Sequence, residues 1–250
     1  MFQRIFAAAL GAGVGVGLLI ALLQHVALVP LILEAETYES GAHHASARAG
    51  IQPSTQLPAL VAQAQAHEAH NAVAGQSEEG NLLLRAALTT LTTTLTAVGF
   101  GLLLTGAFAL SGRDVDAQEG LLWGIGGFAA FALAPAFGLP PELPGSVAAE
   151  LVARQIWWVG TVAATAGALL LMVFARGRWG ASRMIPLGIV LLIAPHVLGA
   201  PHPHAGAGVV PPELAASFAA RSLAVNAVLW TLLGLAAGGL YARFAREYPV

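Results

Sequence analysis

Six long stretches without a charged residue govern what this chain can fold into. They cover residues 5–33, 86–110, 120–139, 155–175, 184–200 and 222–242. A helix that crosses the hydrocarbon core of a bilayer needs about 20 consecutive apolar residues. Charged residues make up only 10% of the chain, whereas soluble domains carry about 25%. The sequence therefore predicts one all-α polytopic membrane domain over residues 1–250 with five to six spans, the fifth weakened by Pro186 and Pro195.

The arginines predict how the spans are oriented. Cytoplasmic loops of membrane proteins carry an excess of basic residues, and all eleven basic residues here are arginine. With the N-terminus in the cytoplasm, seven arginines fall inside and four outside. The seven are Arg4, Arg113, Arg176, Arg178, Arg183, Arg243 and Arg246, and the four are Arg48, Arg85, Arg154 and Arg221. We therefore expect a membrane protein whose two termini are both cytoplasmic.

Two residue types are missing altogether, and their absence excludes several functions. Without lysine the chain has no Walker A loop and no Schiff base. Without cysteine it has no thiolate nucleophile, iron–sulfur cluster or zinc–thiolate site. A net charge of −2 gives no reason to expect nucleic acid as a partner. We expect a protein that is not an enzyme and has no permanently bound cofactor.

The histidines gather on the predicted outer side. His25 and His196 fall in the outer halves of the first and fifth spans, and the other six fall in outer loops. Pro195 frees a helix carbonyl beside His196, and transporters build ion sites from broken helices of this kind. Ionisable groups inside a membrane are candidates for function. We predict His25 and His196 as metal ligands; the alternatives are an interfacial histidine for His25 and a structural, hydrogen-bonded histidine for His196.

Further candidate ligands lie in the outer loops. His202 and His204 alternate with proline, and Glu34 follows the first span. Glu142 and Glu213 occupy matching places in two Pro-Pro-Glu-Leu motifs. These side chains are predicted to collect a divalent cation. The alternatives are an incidental polar loop for the two histidines and helix capping for the two glutamates.

Three further patterns concern the organisation of the chain. Residues 34–81 form an outer loop or flap, and residues 120–175 and 184–243 resemble two copies of a parallel two-helix unit. Four alternate glycines between Gly11 and Gly17 favour close helix packing over a nucleotide loop, because they lie inside a span. The threonine run at residues 88–96 favours packing by hydroxyls bonded to their own helix, with a permeation face as the alternative.

Three separated motifs resemble the bacterial CbtA family, the proposed cobalt transporter subunit. They are QHVALVPLILEAETYE, LPPELPG with RQIWW, and PHVLGAPHP followed by VPPELAASFAARSLAVNAVLW. The resemblance implies an inner-membrane protein that takes up cobalt for cobalamin synthesis. It also implies a partner, the small single-span subunit CbtB with its histidine-rich tail. That family is usually described with five spans, whereas the charge-free stretches number six.

The resemblance and the ligand types together favour a subunit of a Co²⁺ uptake system. Imidazole and carboxylate ligands without thiolate suit Co²⁺ or Ni²⁺, and the affinity order does not separate the two metals. One alternative is a membrane cytochrome with haem between His25 and His196. Another is a scaffold that anchors a metal-binding partner without transporting the ion.

Overall fold

Helices make up all the regular structure in the described part of the chain. The computed structural model describes residues 2–48, 78–174, 181–203 and 208–247. The helices are α1 (Phe2–Ala27), α2 (Val29–Arg48), α3 (Glu78–Ser111), α4 (Ala117–Phe128), α5 (Leu151–Phe174), α6 (Ala181–Leu198) and α7 (Pro212–Glu247). Helix α4 continues through a π-helical turn, Ala129–Leu133, and a last α-helical turn, Ala134–Ala136. The predicted all-α class is confirmed.

Five of the described helical segments are long and apolar enough to cross a membrane. They are Phe2–Ala27, Asn81–Ser111, Ala117–Ala136, Leu151–Val173 and Pro212–Glu247. A sixth apolar helix, Arg183–Leu198, is shorter and contains both prolines of the weakest predicted span. The prediction of five to six spans is confirmed, and the short sixth helix accounts for the ambiguity between the two counts.

The first predicted span ends earlier than its apolar sequence suggests. Pro30 has no N–H to donate, and α1 stops at Ala27 before α2 begins at Val29. The Leu31 N–H bonds to the Leu28 carbonyl at 3.0 Å instead of to Ala27. Arg221 of α7 then donates to the Ala27 carbonyl at 3.3 Å. The predicted outer segment 34–81 therefore starts as helix α2, and its residues 49–77 lie outside the described structure.

Glycines allow the helices of the core to approach backbone to backbone. A Cβ atom on Gly13 would lie 2.7 Å from the Val98 nitrogen, and one on Gly17 would lie 2.7 Å from the Thr94 Cα. These contacts run antiparallel between α1 and α3 and confirm the predicted packing role of the glycine run. Gly15 of the same run has nothing within 4 Å. Gly120 and Gly124 of α4 meet α7 in the same manner, also antiparallel.

The core joins α1, α3, α4 and α7 around one tryptophan. Trp230 of α7 is 1% exposed, and its ring lies 4.6 Å from that of Phe100 and 5.3 Å from that of Phe131 between ring centroids. Phe131 belongs to the π-helical turn, so this turn packs directly on the core. Helices α5 and α6 form an antiparallel hairpin, and α5 contacts the π-helical turn and the α-helical turn that follows it.

The antiparallel order places α2 at one end of the bundle, which we call the α2 end. The C-terminal ends of α1, α4 and α6 and the N-terminal ends of α3, α5 and α7 lie there. The leucines of the two Pro-Pro-Glu-Leu motifs, Leu143 and Leu214, are buried there in one cluster with Leu31, Ala35 and Phe218. The motifs therefore meet in space, while the internal repeat itself stays a prediction.

Candidate functional site

A cavity of about 730 Å³ opens between the π-helical turn, α5 and α6. Near the α2 end its wall includes Phe137, Trp157, His196 and His202. Ala129 and Thr165 line its deeper part. Thr165 follows Trp157 by eight residues on one helix, which corresponds to a depth of about 12 Å at 1.5 Å rise per residue. The cavity therefore extends from the α2 end towards the middle of α5.

Pro195 determines how α6 ends beside this cavity. Proline cannot donate to the carbonyl one turn earlier, at Leu191. The Pro195 carbonyl itself accepts from the Trp157 indole Nε1 at 3.2 Å and from the Gly199 N–H at 3.1 Å. Gly199 has φ +82°, the left-handed conformation that ends helices and favours glycine. The hydrogen bond from the Trp157 indole holds this end of α6 against α5. The two helices therefore form one side of the cavity.

His196 is positioned by two aromatic rings. Its ring centroid lies 6.0 Å from that of Trp157 and 6.1 Å from that of Phe137, both edge to face. Within the described part of the chain no hydrogen bond engages its ring nitrogens, and the residue is exposed. Packing therefore fixes the ring and leaves its nitrogens available to a ligand.

His202 lines the same cavity from the coil that follows α6. It is exposed and lies six residues after His196, beyond the turn at Gly199. The structure thus brings two of the predicted ligands to one cavity. His204, the third predicted ligand of this stretch, lies outside the described residues.

His25 lies at the same end of the bundle but does not line this cavity. Its Nδ1 lies 2.7 Å from the Ala21 carbonyl, which can only accept, so Nδ1 carries the proton. In the neutral ring Nε2 is then free to act as a ligand, the tautomer that metal-binding histidines commonly show. A haem held between His25 and His196 would need both rings on one cavity, and the geometry does not provide this.

The threonines of the run at residues 88–96 have the predicted packing role, in which their hydroxyls bond within the protein. Thr90, Thr94 and Thr96 each donate at 2.8 Å to the carbonyl four residues earlier in α3. Thr93 instead donates at 2.8 Å to the Gln24 side chain of α1. These hydroxyls are therefore satisfied inside the protein, and one of them links the first two spans.

The predicted carboxylate ligands differ in their surroundings. Glu142 forms an ion pair of 2.8 Å with Arg154. Glu213 lies exposed in the first turn of α7, where a carboxylate is favourable at the helix N-terminus. Glu34 is exposed on α2. Among the described residues no three His, Asp or Glu side chains gather into a group that could hold a metal ion, so the ligand role of these residues stays a prediction.

Helix α5 is capped by a residue that the sequence did not single out. Glu150 accepts from the N–H groups of Val152 at 2.9 Å and Ala153 at 2.7 Å. These backbone hydrogen bonds lower the pKa of the exposed Glu150 carboxyl below its ordinary value. The suggestion that Glu142 caps the following helix is therefore wrong, because Glu142 lies eight residues before the Glu150 cap and pairs with Arg154.

Sequence reasoning also missed the deeper wall of the cavity. Neither Trp157 nor Thr165 was predicted as part of a site. One available signal was Pro135 close to the end of the third apolar stretch. A proline there disturbs the helix that precedes it, and the π-helical turn Ala129–Leu133 lies directly before it.

The fold and the cavity define a multi-pass helical membrane protein with two imidazoles at the end of a cavity between its helices. A family model described as "Probable cobalt transporter subunit (CbtA)" matches residues 2–242 of the 250-residue chain. The chain therefore belongs to the CbtA family, as its motifs predicted. It is a subunit, which implies partner subunits, and its role is in cobalt transport. No curated protein matches the chain, and no solved structure does.

Proposed function

We propose that this chain admits Co²⁺ through the cavity between the π-helical turn, α5 and α6. The observation that carries the proposal is that His196 and His202 line this one cavity. Imidazole is a suitable ligand for Co²⁺ and Ni²⁺, and no thiolate competes with it in this chain. The preference for cobalt over nickel rests on membership of the family and not on the ligand chemistry.

Two imidazoles suit capture followed by release rather than storage of the ion. Conduction requires binding strong enough for the ion to enter and weak enough for it to leave. A Co²⁺ ion held by His196 and His202 keeps most of its water, so the ion can move on. A membrane potential of 100 mV would contribute about 4.6 kcal/mol to the inward movement of a divalent cation. This free energy supports a channel-like uniporter.

The cellular setting follows from the arginine distribution and the family resemblance. In this proposal the α2 end faces the periplasm, the N-terminus is cytoplasmic, and the membrane is the bacterial inner membrane. The delivered cobalt feeds cobalamin synthesis, and a small single-span histidine-rich subunit of the CbtB kind presents the ion. His25, His204, Glu34 and Glu213 are additional proposed ligands, whereas Glu142 is left out of the set because it pairs with Arg154.

Reconstitution tests the transport function directly. Liposomes containing the purified chain, alone and with the small partner subunit, are expected to accumulate radioactive cobalt faster than empty liposomes under an inside-negative potential. Nickel in excess is expected to compete, because the ligand chemistry does not separate the two ions. Accumulation at the rate of empty liposomes in both preparations would favour a scaffold without transport, and a Soret band in the purified protein would favour the haem alternative.

The ion pair between Glu142 and Arg154 yields a separate prediction about the metal ligands. Each side chain is 29% exposed, so Glu142→Gln and Arg154→Gln are each expected to lower the free energy of unfolding by at most about 1 kcal/mol. Because Arg154 already neutralises the carboxylate, cobalt uptake is expected to stay unchanged in both variants. Thermal unfolding in detergent and uptake assays measure the two effects.

A ligand role for Glu142 would give a different pattern in the same two variants. Glu142→Gln would then weaken cobalt binding, while Arg154→Gln would strengthen it by freeing the carboxylate. This opposite response would restore Glu142 to the proposed ligand set.

A further inference from the structure

The deepest polar side chain on the cavity wall is a threonine without a partner. Thr165 lies near the middle of α5, is 2% exposed, and lines the cavity below Trp157. Its hydroxyl makes no hydrogen bond and is one of only two such buried side-chain groups in the described structure. A buried hydroxyl inside a membrane span normally finds a partner, because none is available from lipid. The missing partner needs an explanation.

The threonine one turn earlier shows that the helix could have satisfied this hydroxyl. Thr161 is 0% exposed and donates to the Trp157 carbonyl of its own helix at 2.8 Å. Thr105 of α3 is also buried and donates to the Gly101 carbonyl four residues earlier. Thr165 departs from this pattern at the one place where a buried threonine also lines the cavity.

The π-helical turn beside the cavity lacks one regular backbone hydrogen bond. The Ala134 N–H bonds to the Ala129 carbonyl in the i→i+5 pattern of a π-helix. In that register the Ala130 carbonyl is the next acceptor, and Pro135 has no N–H to donate to it. Ala129 and Ala134 both line the cavity. Pro135 therefore leaves the Ala130 carbonyl without its regular backbone donor.

We infer that Thr165 is an inner contact for the hydrated cation on the path that begins at His196. This inference rests on the proposed function and adds a position about 12 Å along α5 from Trp157, whose ring contacts that of His196. The hydroxyl oxygen accepts hydrogen bonds from the water shell of the ion or replaces one of its waters. Co²⁺ prefers imidazole to neutral oxygen, so the ion leaves this inner position more readily than it leaves the two histidines.

Replacement of the hydroxyl by a methyl group tests the inference with little change of shape. Thr165→Val is expected to lower the initial rate of cobalt uptake about fivefold, the factor for one ordinary hydrogen-bonding interaction. It is expected to leave cobalt binding by the detergent-solubilised protein unchanged, because the histidines remain. Thr165→Ser keeps the hydroxyl and should restore the rate. Thr161→Val, the matched control, removes a hydroxyl that is satisfied inside α5 and should keep the wild-type uptake rate.

A labelling experiment tests the same position without relying on cobalt transport. The chain has no cysteine, so Thr165→Cys introduces a single thiol. A small, cationic, membrane-impermeant thiol reagent added from the α2 end is expected to modify this thiol and to leave Thr161→Cys unmodified. The folded state of each variant is checked by its elution profile in detergent.

The two experiments separate failure of the inference from failure of the proposed function. An unreactive Thr165→Cys, or a Thr165→Val variant with the wild-type uptake rate, overturns the inference while His196-dependent uptake stands. If the Thr165→Cys variant reacts with the reagent but the wild-type chain takes up no cobalt, the proposed function is refuted. The assignment of cobalt to this position is then refuted with it.

Discussion

Alanine in place of Gly234 is expected to lower the free energy of unfolding by about 3 kcal/mol, the upper range for overpacking in a core. The added Cβ would lie 2.9 Å from the Gly124 Cα and 3.0 Å from its nitrogen, and closer still to the Gly120 carbonyl oxygen. All three are backbone atoms, so no change of side-chain rotamer relieves the contact. Helices α4 and α7 would have to move apart, and the packing of Trp230 would loosen with them.

The same helix supplies a matched control. A Cβ on Gly239 would lie 3.7 Å from the Ala117 Cβ, an ordinary van der Waals contact. Gly239→Ala is therefore expected to keep wild-type stability or to gain slightly, since alanine favours helix over glycine. Thermal unfolding of the purified proteins in detergent, followed by tryptophan fluorescence, compares the two variants. Equal midpoints for both would show that α4 and α7 do not pack backbone to backbone.

Loss of the His196 imidazole is expected to give the largest functional effect. His196→Ala removes one of the two nitrogen ligands on the cavity and leaves His202 alone. We expect cobalt affinity to fall at least about tenfold, which corresponds to about 1.4 kcal/mol. Uptake at low cobalt concentration should fall in proportion. Calorimetric titration of the purified protein with Co²⁺ measures the affinity, and the liposome assay measures the rate.

His25→Ala provides the comparison for this effect. His25 lies outside the cavity wall and its Nδ1 is already bonded to Ala21, so its loss is expected to affect uptake less than loss of His196. A second variant, His196→Gln, keeps a polar side chain of similar length against Trp157 and guards against simple misfolding. Wild-type affinity in both His196 variants would remove this histidine from the proposed site. A larger loss in His25→Ala would move the site to α1.

Much of the fold could be predicted because the bilayer limits the choices. The lengths of the charge-free stretches alone indicated the helices, and the glycine run indicated that α1 packs closely against another helix. The ends of the helices were harder to predict. Residues 28–33 are apolar, yet Pro30 breaks the helix there and Arg221 satisfies the freed Ala27 carbonyl from another helix. A contact between positions so far apart in the chain leaves no local signal.

The candidate site could be predicted only in part, for a similar reason. His196 and His202 are neighbours in sequence and stand next to prolines and glycine, so their common location was recognisable. Glu142 was predicted as a metal ligand or a helix cap, but the fold brings the Arg154 guanidinium to within 2.8 Å of its carboxylate. Thr165 could not be recognised from the sequence. Thr161 and Thr165 have similar apolar neighbours along the chain and differ only in what packs beside them in the fold.

The sequence by itself determined the membrane class, the number of spans to within one, the family, and the common end of the bundle at which His25, His196 and His202 lie. These properties depend on composition, helix length and short motifs, which do not require knowledge of distant contacts. Only the tertiary structure decided which histidines share a cavity, which carboxylate is neutralised by an arginine, and which threonine lacks a hydrogen bond. Those properties arise where separate segments of the chain pack together, and packing between helices depends on shape in three dimensions rather than on order along the chain.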